Sequence, residues 1–149
     1  MISKRVDLKE GFLEPFLPTN WEKNQKELNQ NMEKTPPPFK KCAPCGFEWE
    51  SLNTFLGDPA IEIIGYQVHF EELETGLLLF NHSCHATLAI QVDKVRHLYD
   101  GPIFQERMTG GEDCPGYCLH EDALQSCPAH CECAYVREII QRIKTWVKN

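Results

Sequence analysis

The sequence predicts an α+β fold, in which a small antiparallel three-stranded meander packs with helices and a cysteine-rich metal-binding segment precedes a C-terminal amphipathic helix. Three observations lead to this prediction. Short apolar segments in the middle of the chain are separated by short connections, which favours antiparallel pairing. Five of the eight cysteines fall between positions 114 and 133. Apolar residues then recur at helical spacing up to the end of the chain.

The 149 residues are enough for one hydrophobic core. We expect residues 1–41 to form an N-terminal arm and residues 42–149 to form a single metal-binding domain. Within the arm, residues 21–33 are mostly good helix formers, and Pro36-Pro37-Pro38 makes a stiff linker. The domain then begins with a short helix predicted over residues 47–56, which Gly57 and Pro59 end.

Three strands follow from the hydrophobic pattern. The second is predicted over residues 77–80, which are apolar on both sides, and the third over residues 87–92, which alternate. The turn Glu74-Thr75-Gly76 precedes the second strand. The first strand alternates from residue 64 to residue 71, and its predicted buried face consists of Ile64, Tyr66, Val68 and Phe70.

Two helices are predicted after the strands. Residues 93–99 have a helical pattern that stops at Asp100-Gly101-Pro102. The charged residues of the last helix lie mostly off its apolar stripe: Arg137, Glu138, Arg142 and Lys144. The stripe itself consists of Val136, Ile139, Ile140, Ile143, Trp146 and Val147.

Charge and hydropathy narrow the possible partners and the compartment. The 15 basic and 22 acidic side chains give a net charge of −7, which argues against nucleic acid or an anionic membrane surface as partner. No apolar run approaches the roughly 18 residues of a membrane span. The N-terminus lacks the apolar core of a signal peptide, so we expect a cytoplasmic protein. A reducing cytosol favours metal ligation by cysteines over disulfides or free thiols.

The first cysteine motif is Cys42-Ala43-Pro44-Cys45-Gly46. A C-x-x-C turn directs two thiolates at one ion about 2.3 Å away, and the glycine after it permits a positive φ. Over these five residues the motif resembles the metal knuckle of rubredoxins and zinc ribbons. A thioredoxin-type redox pair is the alternative, but Pro- and Lys-rich residues rather than a strand precede Cys42.

The second motif is Asn81-His82-Ser83-Cys84-His85. Cys84 is the natural third ligand of the knuckle. If the strand continues, His82 shares a face with Cys84 and His85 points away. Either histidine is a candidate fourth ligand or a group supporting the ligands. Two other interpretations stay open: Cys84 as a small buried hydrophobe, or as a nucleophilic thiolate activated by an imidazole.

The third motif, Cys114-x3-Cys118-x8-Cys127-x3-Cys131-x-Cys133, is the strongest metal signal. Its spacing matches neither the bacterial nor the plant ferredoxin pattern. In one division of the ligands Cys133 joins Cys42, Cys45 and Cys84, which leaves four cysteines for a second site. In the other, His82 or His85 completes the first site and one terminal cysteine stays free.

Three classes of function follow from these motifs. The leading hypothesis is one or two closed zinc–thiolate sites that stabilise an interaction domain, with a protein partner not identified by the sequence. The second is an iron–sulfur redox or sensor protein that uses the same cysteines. The third is a zinc- or thiol-dependent enzyme around Cys84, His82 and His85. The sequence has no H-E-x-x-H, G-x-S-x-G, P-loop or G-x-G-x-x-G motif, which disfavours the common enzyme classes.

Overall fold

The fold begins with a two-stranded antiparallel ladder around the first cysteine motif. The computed structural model describes residues 35–149 and the single residue 20. Strand β1 is Lys40–Lys41 and strand β2 is Glu48–Trp49, with Lys40 opposite Trp49, so the expectation that no strand precedes Cys42 is wrong. The helix predicted over residues 21–33 lies outside the described residues, and the predicted division at residue 41 stays a prediction.

Helix α1 is Leu52–Gly57, so the expectation that a helix starts at Phe47 is wrong. Residues Glu48–Trp49 form strand β2 and pair with β1, and a helix over these residues could not make that pairing. Ser51 is the N-cap, and its side chain and that of Thr54 form a reciprocal capping box with each other's backbone. Such a cap satisfies N–H groups that the first helical turn leaves free.

The central sheet is a three-stranded antiparallel meander, as predicted. Strand β3 is Ile61–Gln67, strand β4 is Leu77–His82 and strand β5 is Thr87–Gln91, in the order β3-β4-β5. A short 3-10 turn, Leu73–Thr75, ends at Gly76 before β4. The predicted turn, the doubly buried β4 and the alternation of β5 are therefore confirmed.

The predicted buried face of the first strand is partly wrong. A β-bulge between Ile63 and Gly65 shifts the register against β4. As a result Ile61 and Ile63 point into the core, Ile64 is 41% exposed, and Tyr66 points inward again. The strand also ends at Gln67, so Val68 and Phe70 are not part of it.

Helix α2 is Ala134–Lys144, and its apolar stripe packs into the same core as the sheet. Trp146 and Val147 lie beyond the end of the helix, and Val147 is 77% exposed. Arg137 is fully buried. The core members from α2 are Val136, Ile139, Ile140 and Ile143, and those from the sheet include Ile61, Tyr66, Leu78, Phe80, Leu88 and Ile90.

Residues 99–133 form a long connection between the sheet and α2. The helix predicted over residues 93–99 is instead two 3-10 turns, Val92–Lys94 and Arg96–Leu98. The connection itself contains one 3-10 turn, Tyr117–Leu119, and no other helix or strand. It is fixed to the sheet where the Tyr66 N–H donates to the Glu121 carbonyl at 2.8 Å. Among the described residues no helix is long and apolar enough to cross a membrane.

Candidate metal centre

The first half of the site is the turn between β1 and β2. The Cys42 N–H donates to the Phe47 carbonyl at 2.8 Å, and the Gly46 N–H donates to the Cys42 carbonyl at 2.7 Å. Gly46 has a φ of +80°, a left-handed conformation that glycine adopts without strain. The knuckle conformation predicted from the C-x-x-C-G motif is therefore formed, with the ladder holding its two ends together.

The second half of the site is the turn between β4 and β5. The His82 N–H donates to the Ala86 carbonyl at 2.9 Å, and the His85 N–H donates to the His82 carbonyl at 2.8 Å. His85 has a φ of +74° and is exposed. The Ser83 N–H donates to the Ala60 carbonyl at 3.1 Å and so ties this turn to the start of β3.

These two turns bring together the side chains of Cys42, Cys45, His82 and Cys84, which we call the knuckle site. Their ligand atoms all lie within 4.8 Å of one another. Cys84 Sγ lies 3.5 Å from Cys42 Sγ and 3.1 Å from His82 Nδ1. His82 Nδ1 lies 3.7 Å from Cys45 Sγ. The four side chains form a Cys3His cluster that could hold a metal ion.

The spacing of these atoms suits one tetrahedral ion. With metal–sulfur bonds of about 2.3 Å and metal–nitrogen bonds of about 2.0–2.1 Å, neighbouring ligand atoms are separated by about 3.5–3.8 Å. The distance of 3.7 Å from Cys45 Sγ to His82 Nδ1 is close to the sulfur–nitrogen separation of about 3.5–3.6 Å, and the distance of 3.5 Å from Cys84 Sγ to Cys42 Sγ is somewhat shorter than the sulfur–sulfur separation of about 3.8 Å. The distance from His82 Nδ1 to Cys84 Sγ, 3.1 Å, is somewhat shorter.

Aromatic side chains fix the histidine and shield one side of the site. His82 is only 6% exposed, and the Trp49 ring packs edge-on against it with centroids 5.1 Å apart. The Trp49 indole N–H donates to Asp58 Oδ2 at 2.8 Å, which fixes the indole in turn. Cys42 is buried and Cys45 is exposed, so the site lies at the edge of the core.

Backbone amides influence the two knuckle thiols. The Phe47 N–H lowers the pKa of Cys45, and this is the largest effect on that thiol. The Cys45 N–H likewise lowers the pKa of Cys42. Burial and the neighbouring Cys45 and Cys84 thiols outweigh that contribution, so the net pKa of Cys42 is raised. Amide donors directed at both sulfurs favour the negatively charged thiolates that bind metals.

The terminal cysteines gather at a separate place, next to the start of α2. Cys133 Sγ lies 3.2 Å from Cys118 Sγ and 3.4 Å from Cys131 Sγ. The Met108 N–H donates to Cys131 Sγ at 3.2 Å. Cys127 packs against the same group. Cys133 thus lies with the terminal cysteines, and His82 occupies the fourth position of the knuckle site.

Arg137 and Tyr66 lie beside these thiols. The neighbouring Cys133 thiol and the Arg137 guanidinium bring the pKa of Cys118 down to about 6, against burial, which raises it. The Arg137 Cζ lies 5.4 Å from the centroid of the Tyr66 ring. Contact with Cys118 and burial raise the pKa of Cys133 far above its ordinary value.

Three buried polar atoms in this region have no hydrogen-bond partner. They are the Tyr66 hydroxyl and the Nε and Nη2 atoms of Arg137, and no other buried side-chain atom among the described residues shares this property. The remaining Arg137 donor, Nη1, donates to the Ala123 carbonyl. An unpaired buried polar atom costs about 1–3 kcal/mol, so three next to a group of thiols require an explanation.

The sequence contained a signal for His82 but none for Arg137. His82 and Cys84 are two residues apart at the end of a strand, a spacing that suggests a shared face. Arg142 and Lys144 of the same helix are exposed, whereas Arg137 is buried against Ala123 and Tyr117 of the 99–133 connection. Tyr66 was predicted correctly to be a core residue, but nothing in the sequence indicated that it lies beside the terminal cysteines.

The described part of the chain is thus a small α+β domain, and its two turns carry a Cys3His cluster that could hold a metal ion. Comparison of the chain with models of known protein families, with curated proteins and with solved structures finds no match.

Proposed function

We propose that the chain is a zinc-stabilised interaction domain, in which the knuckle site holds a structural zinc ion and the folded surface binds another protein. The convergence of four ligand atoms within 4.8 Å carries the proposal. Cys3His is among the ligand sets of structural zinc sites, which are closed by four protein ligands. A catalytic zinc site would keep one position for water or substrate.

The position of the knuckle site supports a structural role. Two of its ligands come from the turn between β1 and β2, and two from the end of β4 and the turn that follows. An ion bound there joins the N-terminal ladder to the central sheet. Because such a site does not exist in the unfolded chain, its binding free energy becomes folding free energy.

The contacts of Cys84 favour a ligand over a nucleophile. A catalytic thiolate–imidazole pair needs an accessible sulfur next to the histidine. Cys84 has His82 Nδ1 at 3.1 Å, but Cys42 Sγ is also only 3.5 Å away. Cys45 Sγ approaches the same imidazole nitrogen at 3.7 Å. Three thiols grouped around one imidazole nitrogen are the arrangement expected of four ligands that bind one metal ion.

Metal analysis of the purified 149-residue chain tests this proposal. We expect zinc without acid-labile sulfide and no visible absorption band, and we expect Cys84→Ser to lose about one zinc per chain. Ser83→Ala is the matched control, because Ser83 lies in the same turn and is exposed. Iron with sulfide would favour the iron–sulfur alternative. Full zinc content in Cys84→Ser would exclude the knuckle site as a zinc site.

A further inference from the structure

We infer that a second metal ion is bound by Cys118, Cys127, Cys131 and Cys133, beside the buried guanidinium of Arg137. We call these four cysteines the terminal site. The inference does not depend on the proposed function, since the two sites share no ligand. Its first support is distance: Cys133 Sγ has Cys118 Sγ at 3.2 Å and Cys131 Sγ at 3.4 Å. Neighbouring thiolates on one tetrahedral ion are about 3.8 Å apart, somewhat more than these two distances. The terminal thiols do not all lie within 4.8 Å of one another as the knuckle ligands do, so an ion would have to draw the remaining sulfurs in around Cys133.

The second support is the set of unpartnered donors. Arg137 is 0% exposed, its guanidinium lies beside Cys118, and its Nε and Nη2 have no partner in the described part of the chain. The Tyr66 hydroxyl, also without a partner, belongs to the ring under that guanidinium. A protonated thiol is a weak acceptor. Metal-bound thiolates are negatively charged acceptors and would give these donors the partners that they lack.

The third support is charge. Four thiolates around a divalent ion leave an excess of two negative charges, which is costly away from water. Arg137 offsets one of them. Cys133 is the N-cap of α2, an 11-residue helix, so the partial positive charge of the helix N-terminus acts on the same site. The positive charge of Arg137 and of the helix N-terminus would thus stabilise the negatively charged complex of one divalent ion with four thiolates.

The positions of the terminal cysteines also bear on two choices: a single ion or an iron–sulfur cluster, and Cys127 or Cys114 as the fourth ligand. In a four-iron cluster each thiolate binds a different iron atom, and the sulfurs lie much farther apart than 3.2–3.4 Å, so the spacing favours several thiolates on one ion. Cys127, like Cys118, packs against the buried cluster of Ala129, Cys131 and Cys133, and Cys114 is not in that cluster. We therefore assign Cys127 rather than Cys114 as the fourth ligand, although Cys114 lies near Cys127.

Zinc stoichiometry of a set of variants, measured by native mass spectrometry, tests the inference. We expect two zinc ions in the wild-type chain and in Cys114→Ser, and one in Cys133→Ser and in Cys127→Ser. Cys84→Ser should also hold one, at the terminal site. One zinc in the wild type that is lost in Cys84→Ser and kept in Cys133→Ser would overturn the terminal site and leave the knuckle site intact. The reverse pattern would overturn the knuckle site alone.

A second measurement uses only the wild-type chain, so it tests the inference even if the cysteine variants fail to fold. X-ray absorption at the zinc edge of the zinc-saturated protein should show on average more than three sulfur ligands per zinc, because seven thiolates and the His82 imidazole would be shared by two ions. Three sulfurs and one nitrogen per zinc would overturn the inference, because all of the bound zinc would then lie at the knuckle site.

Discussion

The guanidinium of Arg137 is fully buried one helical turn after Cys133, with its Cζ over the rings of Tyr66 and Tyr117. Burying a cation costs several kcal/mol unless a negative group or good acceptors compensate it. The Ala123 carbonyl accepts from one of its nitrogens only. Metal-bound thiolates at the inferred terminal site would supply the missing compensation, and Arg137 would then support the ligands without binding the ion.

Replacement of Arg137 by glutamine should therefore weaken zinc binding at the terminal site. Loss of a residue that supports metal ligands typically lowers metal affinity by about 10–100-fold. We expect that reduction in Arg137→Gln when a chromophoric chelator competes for the ion, with the affinity of the knuckle site unchanged.

Arg142→Gln is the matched control for this substitution. Arg142 lies on the same helix but is exposed, and its ion pair with Asp100 has a nitrogen–oxygen distance of 2.8 Å. Such surface pairs contribute at most about 1 kcal/mol and lie outside any ligand set. An equal loss of zinc affinity at both sites in Arg137→Gln would indicate general destabilisation and would contradict the role assigned to Arg137.

At the scale of elements, strand β3 determines where the cysteine-rich connection meets the sheet. β3 is an edge strand of the sheet, and beyond the bulge between Ile63 and Gly65 the Tyr66 N–H donates to the Glu121 carbonyl. Gly65 allows the approach, because a Cβ there would lie 3.1 Å from Glu121 Cγ and 3.3 Å from the Glu121 carbonyl oxygen.

Gly65→Ala should consequently destabilise the fold by about 1–3 kcal/mol, the usual cost of forcing extra atoms into a packed contact. The free energy of unfolding in urea measures this effect. Ile64→Thr is the control, since Ile64 is largely exposed and its replacement should change stability by less than about 0.5 kcal/mol. An alanine variant as stable as the wild type would mean that residues 99–133 move away from β3 without cost.

The elements that the sequence predicted well are those with a strong local pattern. Three patterns are complete within a short stretch of sequence and do not depend on distant partners. They are the apolar run of β4, the alternation of β5 and the apolar stripe of α2. The start of α1 and the inward face of β3 were missed, since both depend on partners. Pairing with β1 takes Glu48–Trp49 out of the helix, and the bulge reverses the alternation at Ile64.

At the scale of the molecule, cysteine spacing predicted two ligand groups but not their membership. The structure places His82 in the knuckle site and Cys133 with the terminal cysteines. That assignment depends on how residues 99–133 fold back on the sheet, and those residues contain little regular structure from which to predict a path. A connection of this length without regular structure is unusual in a compact domain unless function or a ligand organises it.

The stability of the whole chain should therefore depend on free zinc, with a slope that counts the sites. Each ion that binds only the folded chain adds about 1.4 kcal/mol to the free energy of unfolding for every tenfold rise in free zinc above its dissociation constant. Two sites predict about 2.7 kcal/mol per decade in chelator-buffered zinc, and Cys84→Ser or Cys133→Ser should halve it. Cys114→Ser should keep the full slope. Residual zinc binding by the unfolded chain lowers all these slopes together, so the ratio between variant and wild type is the decisive quantity. A stability independent of free zinc would show that neither cysteine group contributes to folding through a metal ion.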